Sequence, residues 1–166
     1  MVIIRPIEVE DIEDRGFLDV LENLVPAGID RMQAKQILRQ IKSNRLHKIF
    51  VAEEEQGRKD DHDDEGEKKN KKKKTKVLGT TTLLVEPKFI NKGMRVGYIE
   101  DVSVRKGYEG SGIGSQLIRY ATEDAISVEG CAKILLYCSK NNMPFYERLG
   151  YKFADDVSVM KFEIEK

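Results

Sequence analysis

The stretch that most constrains this chain is residues 98–128. There Tyr98-Ile99-Glu100-Asp101-Val102-Ser103-Val104 alternates as a strand, Arg105 to Tyr108 breaks it, and Glu109-Gly110-Ser111-Gly112-Ile113-Gly114 opens a long run of helical period. A strand, a glycine turn and a helix in that order leave the first helical amides facing outward with no side chain over them. Such a turn suits an anionic ligand, most simply a phosphate. Two familiar phosphate loops are excluded. The Walker loop needs Lys and then Ser or Thr directly after its last glycine, whereas Gly114 is followed by Ser115 and Gln116. The dinucleotide fingerprint wants a third glycine where this chain has Ser115, and an acid closing the next strand, yet residues 133–138 carry none. What remains is Gly-x-Gly-x-Gly after a strand, which by itself fits either an anion nest or a tight turn packing helix on sheet.

Around that stretch the chain reads as β, α, α, three strands, α, β, α, β, β, in a single domain over residues 1–166. Residues 2–5 form a first strand. Ile12, Phe17, Leu18, Leu21, Leu24 and Val25 keep a broken helical period from Asp11 until Pro26 and Gly28 end it. Asp30 stands as an N-cap with Gln33 at the capping-box distance, ahead of a stripe of Met32, Ile37, Leu38 and Ile41. Strands are expected at 47–52, 77–85 and 95–104, a helix over 113–128, a strand at 133–138, a short helix from about Asn142 to Leu149, and strands at 151–154 and 157–164. Strand-helix-strand in the second half implies a partly parallel, mixed sheet flanked by helices, an α/β (α+β) architecture.

Residues 53–76 are different: nine acidic and nine basic side chains in 24 residues, and nothing apolar to bury. Ordering costs ~1–2 kcal/mol per residue in backbone entropy, so a disordered charged insertion is expected there. Lys plus Arg equals Asp plus Glu at 29 each, and no global field draws the protein to nucleic acid. No apolar run approaches the ~20 residues of a membrane span, and the start of the chain is not built as a signal peptide, so a cytoplasmic protein is expected. His47 and His62 stand apart, and Cys131 and Cys138 lack metal-ligand spacing, so no metal is expected.

The order of elements and the residues of the glycine turn together resemble the GNAT superfamily of acetyl-CoA-dependent N-acetyltransferases over nearly the whole chain outside the charged tract. The family's turn has the form Gln or Arg, x, x, Gly, x, Gly or Ala. Gly112 and Gly114 fit it, and Glu109 takes the place of the Gln or Arg. The resemblance implies a GNAT fold. It also implies acetyl-CoA as donor, with its pyrophosphate on the backbone of Glu109, Gly110, Ser111, Gly112, Ile113 and Gly114. Its pantetheine arm would lie along the backbone of Val102, Ser103 and Val104, where the strand splays from its neighbour and an amide can donate to the thioester oxygen. Asn142 and Phe145-Tyr146, followed by Gly150-Tyr151, look like the family's Asn-x-x-x-Phe-Tyr-x-x-x-Gly-Phe/Tyr segment. It makes Asn142 a cofactor contact and Tyr146 the acid that protonates the departing thiolate.

Within the superfamily, Ile99-Glu100-Asp101-Val102, a small residue and Val104 are similar to the glucosamine 6-phosphate N-acetyltransferases. That resemblance implies Glu100 and Asp101 at the acceptor amine. Adjacent strand residues point to opposite faces, so one carboxylate is expected on substrate and the other in a structural role. It further implies Lys88, Phe89, Ile90 and Asn91 at the sugar phosphate, acceptor positions at Tyr137 and Lys161, and a homodimer in which the last strand pairs across the interface. Two other readings stay open: acetylation of a protein N-terminus or lysine, and a non-catalytic acyl-CoA-binding sensor.

Overall fold

The computed structural model describes residues 2–54 and 75–162. The charged tract lies almost wholly outside them, over 55–74. At its described margins Glu53 and Glu54 belong to a strand, and the Thr75 hydroxyl donates to Glu53 at 3.0 Å.

Five strands form one sheet in chain order: β1 (Val2–Pro6), β2 (His47–Glu54), β3 (Val77–Pro87), β4 (Arg95–Val104) and β5 (Cys131–Leu136). The first three pairings are antiparallel, and β4 with β5 is parallel. Side chains of β2 alternate between two cores, as a strand buried on both faces requires. Ile49 and Val51 pack with α1 (Val9–Glu13), α2 (Phe17–Leu21) and α3 (Arg31–Ser43). Phe50 and Ala52 pack with α4 (Ile113–Glu123), against which α5 (Met143–Glu147) also settles. The fold is therefore the mixed α/β sheet flanked by helices that the sequence suggests.

Local signals explain most boundaries. Asp30 Oδ1 accepts from the Gln33 N–H at 2.8 Å and Gln33 returns a bond to the Asp30 N–H at 3.0 Å, so the capping box starts α3 as expected. The first helical region divides into α1 and α2 because Gly16 sits at φ 74° between them. α4 runs into a π-helical turn, Asp124–Val128, before β5.

A buried carboxylate ties β1 to this face. Asp11 is fully buried, accepts two bonds from Arg5 at 2.8 Å each and one from the Glu8 N–H at 2.7 Å, and lies 3.2 Å from Arg15. Arg5 also reaches Glu53 at 2.7 Å.

The last two expected strands are not formed among the described residues. Residues 151–162 pair with no described strand, and Val159, Met160 and Phe162 are 71%, 92% and 90% exposed. Apolar side chains fall on both faces of that segment, and a strand so patterned needs a hydrogen-bonding neighbour and cover on each side. β5 also begins two residues earlier than expected and stops at Leu136. Among the described residues no helix is long and apolar enough to cross a membrane.

Candidate active site

After Val104 the chain makes two turns, with the Tyr108 N–H donating to Arg105 O at 3.0 Å and the Ser111 N–H to Tyr108 O at 3.3 Å. Gly107, Gly110 and Gly112 have φ of 88°, 75° and 84°, and a Cβ on any of them would meet no atom within 4 Å. Glycine is required here by backbone conformation rather than by crowding. Gly112 is the N-cap of α4, and no side chain caps that end. The first-turn amides thus keep their donors, and the helix dipole adds about half a positive charge beside them. Glu109, the only acid between 105 and 114, folds back on the loop, its Oε2 accepting from the Gly107 N–H at 2.6 Å. The cradle fits an anion with two or more oxygens.

What aims α4 at this position is a residue the sequence reading passed over. Gly79 in β3 lies under the helix: a Cβ there would sit 2.9 Å from Leu117, 3.0 Å from Ile113 and 3.0 Å from the Ser103 carbonyl. Only a glycine lets the first turns of α4 rest on the sheet. Ser103 is buried and its hydroxyl donates to Val20 O at 2.6 Å, so its side chain holds β4 to α2. Asn23, also missed, donates to Val104 O at 2.8 Å.

β4 splays from β5 beside the turn. Their ladder ends at Ile99 opposite Leu136, while β4 continues to Val104 with β3 as its only strand neighbour among the described residues. The backbone of Val102, Ser103 and Val104 therefore has one edge without a strand partner. A bulge marks the opening: Thr80 pairs with Ser103 and Thr82 with Glu100, so two residues of β3 span three of β4, and Asp101 takes φ 50°. The simple alternation expected for Glu100 and Asp101 fails at this point, because a bulge re-aims the side chain it carries. Glu100 is half-buried and Asp101 exposed. Burial first, and then the Asp101 carboxylate, push the Glu100 pKa up. Tyr137 is the residue after the last ladder partner, so it stands at the mouth of the splay on the β5 side, and it is exposed.

α5 closes the far side. A Cβ on Gly114 would lie 3.5 Å from Val104 and 3.6 Å from Phe145, which brings the glycine turn, the end of β4 and the start of α5 into contact. Tyr146 packs edge-on against Phe145 at 4.9 Å and Tyr151 at 6.1 Å. Its hydroxyl makes no hydrogen bond among the described residues. Burial, then the Cys138 and Tyr151 groups, push its pKa up, so the phenol is a held proton donor at neutral pH. Gly150 at φ 94° and the Tyr151 N–H bond to Tyr146 O end that helix.

The other expected residues lie elsewhere. Asn142 is exposed at the head of α5, and Lys161 lies exposed in the segment after α5, outside any helix or strand. Lys88, Phe89, Ile90 and Asn91 follow Pro87 at the tip of the β3–β4 hairpin, where Phe89 and Ile90 are exposed. Pro87 pairs with Arg95, and five residues at ~3.3 Å each put that tip roughly 17 Å from Glu100, longer than a sugar phosphate. Lys88 is paired with Glu86, which also accepts from the Tyr98 hydroxyl at 2.9 Å. Among the described residues no group of three His, Cys, Asp or Glu could hold a metal.

The acetyltransferase (GNAT) family pattern matches residues 33–151. A Trypanosoma brucei brucei protein named glucosamine 6-phosphate N-acetyltransferase is 42% identical over 77 residues, 46% of this chain and 52% of the relative, so the match spans about half of each. A protein of Oryza sativa subsp. japonica named glucosamine 6-phosphate N-acetyltransferase 1 is 30% identical over 152 residues, 89% of this chain and 79% of the relative. The crystal structure of glucosamine-6-phosphate N-acetyltransferase from Arabidopsis thaliana superposes with a TM-score of 0.77 at 25% identity, covering 98% of this chain and 99% of that one.

Proposed function

The chain belongs to the acetyltransferase (GNAT) family, and from that premise we propose that it moves the acetyl group of acetyl-CoA to the 2-amino group of glucosamine 6-phosphate, giving N-acetylglucosamine 6-phosphate. The observation that carries the transferase reading is the splay of β4 from β5 between an uncapped glycine turn and a protonated Tyr146. The sugar acceptor is supported by the names of the relatives, which recur from a trypanosome to rice.

Acetyl-CoA supplies the acetyl group as a thioester. The amides from Glu109 to Gly114 hold its pyrophosphate, and the open edge of Val102, Ser103 and Val104 receives the pantetheine arm, with Asn142 at the side of α5. A β4 amide at the splay steadies the charge that grows on the thioester oxygen. Glu100, with a carboxyl raised by burial, takes the proton of the acceptor ammonium, and Asp101 and Tyr137 hold the sugar beside it. The amine nitrogen then bonds to the acetyl carbon as the carbon–sulfur bond breaks. Tyr146 gives its proton to the sulfur and regains one from the acetylated nitrogen, which becomes the neutral amide, in one ternary complex.

The protein acts as a homodimer in the cytoplasm. Support for the dimer comes from the exposed apolar residues of 152–162, which lack a partner strand, and from the hairpin tip. Lys88, Phe89, Ile90 and Asn91 reach an acceptor amine from a second copy, since roughly 17 Å of strand separates the tip from Glu100 in one chain. The two cysteines are free, as a reducing compartment favours.

The test is CoA release with glucosamine 6-phosphate, glucosamine and a peptide panel as acceptors. Turnover is expected with the sugar phosphate and far less with the other two. Turnover on peptides alone would defeat the sugar assignment, and acetyl-CoA binding without turnover on any acceptor would make the protein a sensor.

A further inference from the structure

We propose that Arg105 is a positioning residue for acyl-CoA binding, a guanidinium that fixes the entry of the glycine turn against the α1–α2 corner and the start of β3. The inference rests on the acetyl-CoA reading above. Arg105 follows Val104 directly and carries the chain into the turn. Its N–H donates to Leu78 O at 2.7 Å and its carbonyl accepts from Tyr108, so its backbone already joins β3 to the first bend.

The side chain does the rest. Nε donates to Val77 O at 2.6 Å, Nη2 to Gly16 O at 2.7 Å and more weakly to Arg15 O at 3.5 Å, and Nη1 lies 3.6 Å from Asp19. Two separate segments, the α1–α2 corner and the start of β3, converge on one rigid fork, which a flexible ammonium cannot reproduce. Because Nε and Nη2 are bonded to backbone carbonyls and Nη1 faces the Asp19 carboxylate, the guanidinium is a support for the phosphate turn rather than a phosphate ligand.

Two further observations point the same way. Gly16 has φ 74°, and a Cβ there would lie 2.6 Å from Arg105 Nη2 and 2.6 Å from Asp19 Oδ2, so the corner is shaped to admit this guanidinium. From Gly107 to Gly112 the turn is held by bonds within the loop itself, since space around the Cβ positions of Gly107, Gly110 and Gly112 is open to 4 Å. At the same corner Arg105 lines a polar cleft of about 220 Å³ together with Arg15, Gly16, Asp19, Arg31 and Lys76. A turn so thinly packed keeps its shape through the residue at its root.

The experiment uses the full chain, with acetyl-CoA binding by calorimetry, kcat and KM by CoA release, and thermal melting. For Arg105→Lys, Kd and KM for acetyl-CoA should rise about tenfold with kcat within about twofold, the signature of lost binding order away from the reacting groups. Gly16→Ala should raise KM in the same way, and adding it to Arg105→Lys should change KM by less than about twofold, because both remove one contact. An unchanged KM with a lowered melting temperature would overturn the proposal and leave Arg105 a stability element. So would a fall in kcat at constant KM, or independent effects in the double variant. Failure of the unaltered protein to bind acetyl-CoA would instead defeat the underlying reading, and is seen before any variant is made.

Discussion

Tyr146→Phe removes one oxygen atom from the site and little else. The ring keeps its edge-on contacts with Phe145 at 4.9 Å and Tyr151 at 6.1 Å, and its hydroxyl has no hydrogen bond among the described residues to lose. The stability change should therefore stay within about 0.5 kcal/mol, as for substitutions that touch no buried bond. Turnover behaves differently. A positioned general acid contributes ~10²–10⁴-fold, so at 1.36 kcal/mol per factor of ten the barrier should rise by roughly 2.7–5.4 kcal/mol. Tyr146 suits that role because burial raises its pKa and keeps the proton in place through neutral pH. Steady-state CoA release should show kcat reduced at least about a hundredfold with the acetyl-CoA KM nearly constant, since the anion cradle is untouched. A kcat within a factor of about two, or a melting point lowered by several degrees, would refute the reasoning and return Tyr146 to a packing role.

Three other perturbations read different parts of the structure. Asp101→Asn removes a like charge from beside Glu100, so the Glu100 pKa should fall and the acid limb of the kcat/KM profile should move to lower pH; Glu100→Gln should abolish that limb and slow the reaction at all pH values. Gly79→Ala places a methyl between Leu117, Ile113 and a carbonyl that cannot give way, which should cost ~1–3 kcal/mol and raise the acetyl-CoA KM as α4 lifts, measured by melting and kinetics together. For Asp11, burial pushes the pKa up, but bonds from Arg5, the Glu8 N–H and Arg15 bring it below the ordinary carboxylate value. Its stabilisation is then complete above the unfolded value and lost as pH falls through the lower folded one; Asp11→Asn should cost about 3 kcal/mol at neutral pH and flatten the acid end of a stability–pH curve.

Sequence reasoning succeeded where the signal was local. β4 has the boundaries its alternation gives, 95–104, and the Asp30–Gln33 capping box and the helix from Ile113 follow from adjacent residues. It failed where pairing decides. The bulge at Asp101 exists only relative to β3, so no pattern in Glu100-Asp101-Val102 announces it. The run from Cys131 to Cys138 lacks an internal turn residue, and its strand ends where β4 departs rather than where the apolar residues do. Lys88 is only twelve residues from Glu100 in sequence, yet an extended strand carries the two apart. Residues 151–154 and 157–164 read as strands, of which the described part to 162 forms none, because composition cannot say whether a neighbour is present.

Glu109 joins these threads. In sequence it places a negative charge where an anion should bind, and a carboxylate capping the first turn of α4 would compete with any phosphate for the same amides. Its carboxylate instead accepts from Gly107, two residues back, at 2.6 Å, while the helix end keeps no side-chain cap. The positive φ at Gly107 gives the loop the bend that accompanies this bond. A turn carrying an acid can therefore still present free amides, provided the loop holds its bend. Arg105, at the root of the same loop, is the group that fixes where the bend begins. Glu109→Gln should then leave the turn in place and tighten acetyl-CoA through removal of a repulsive charge, an effect that added salt would diminish.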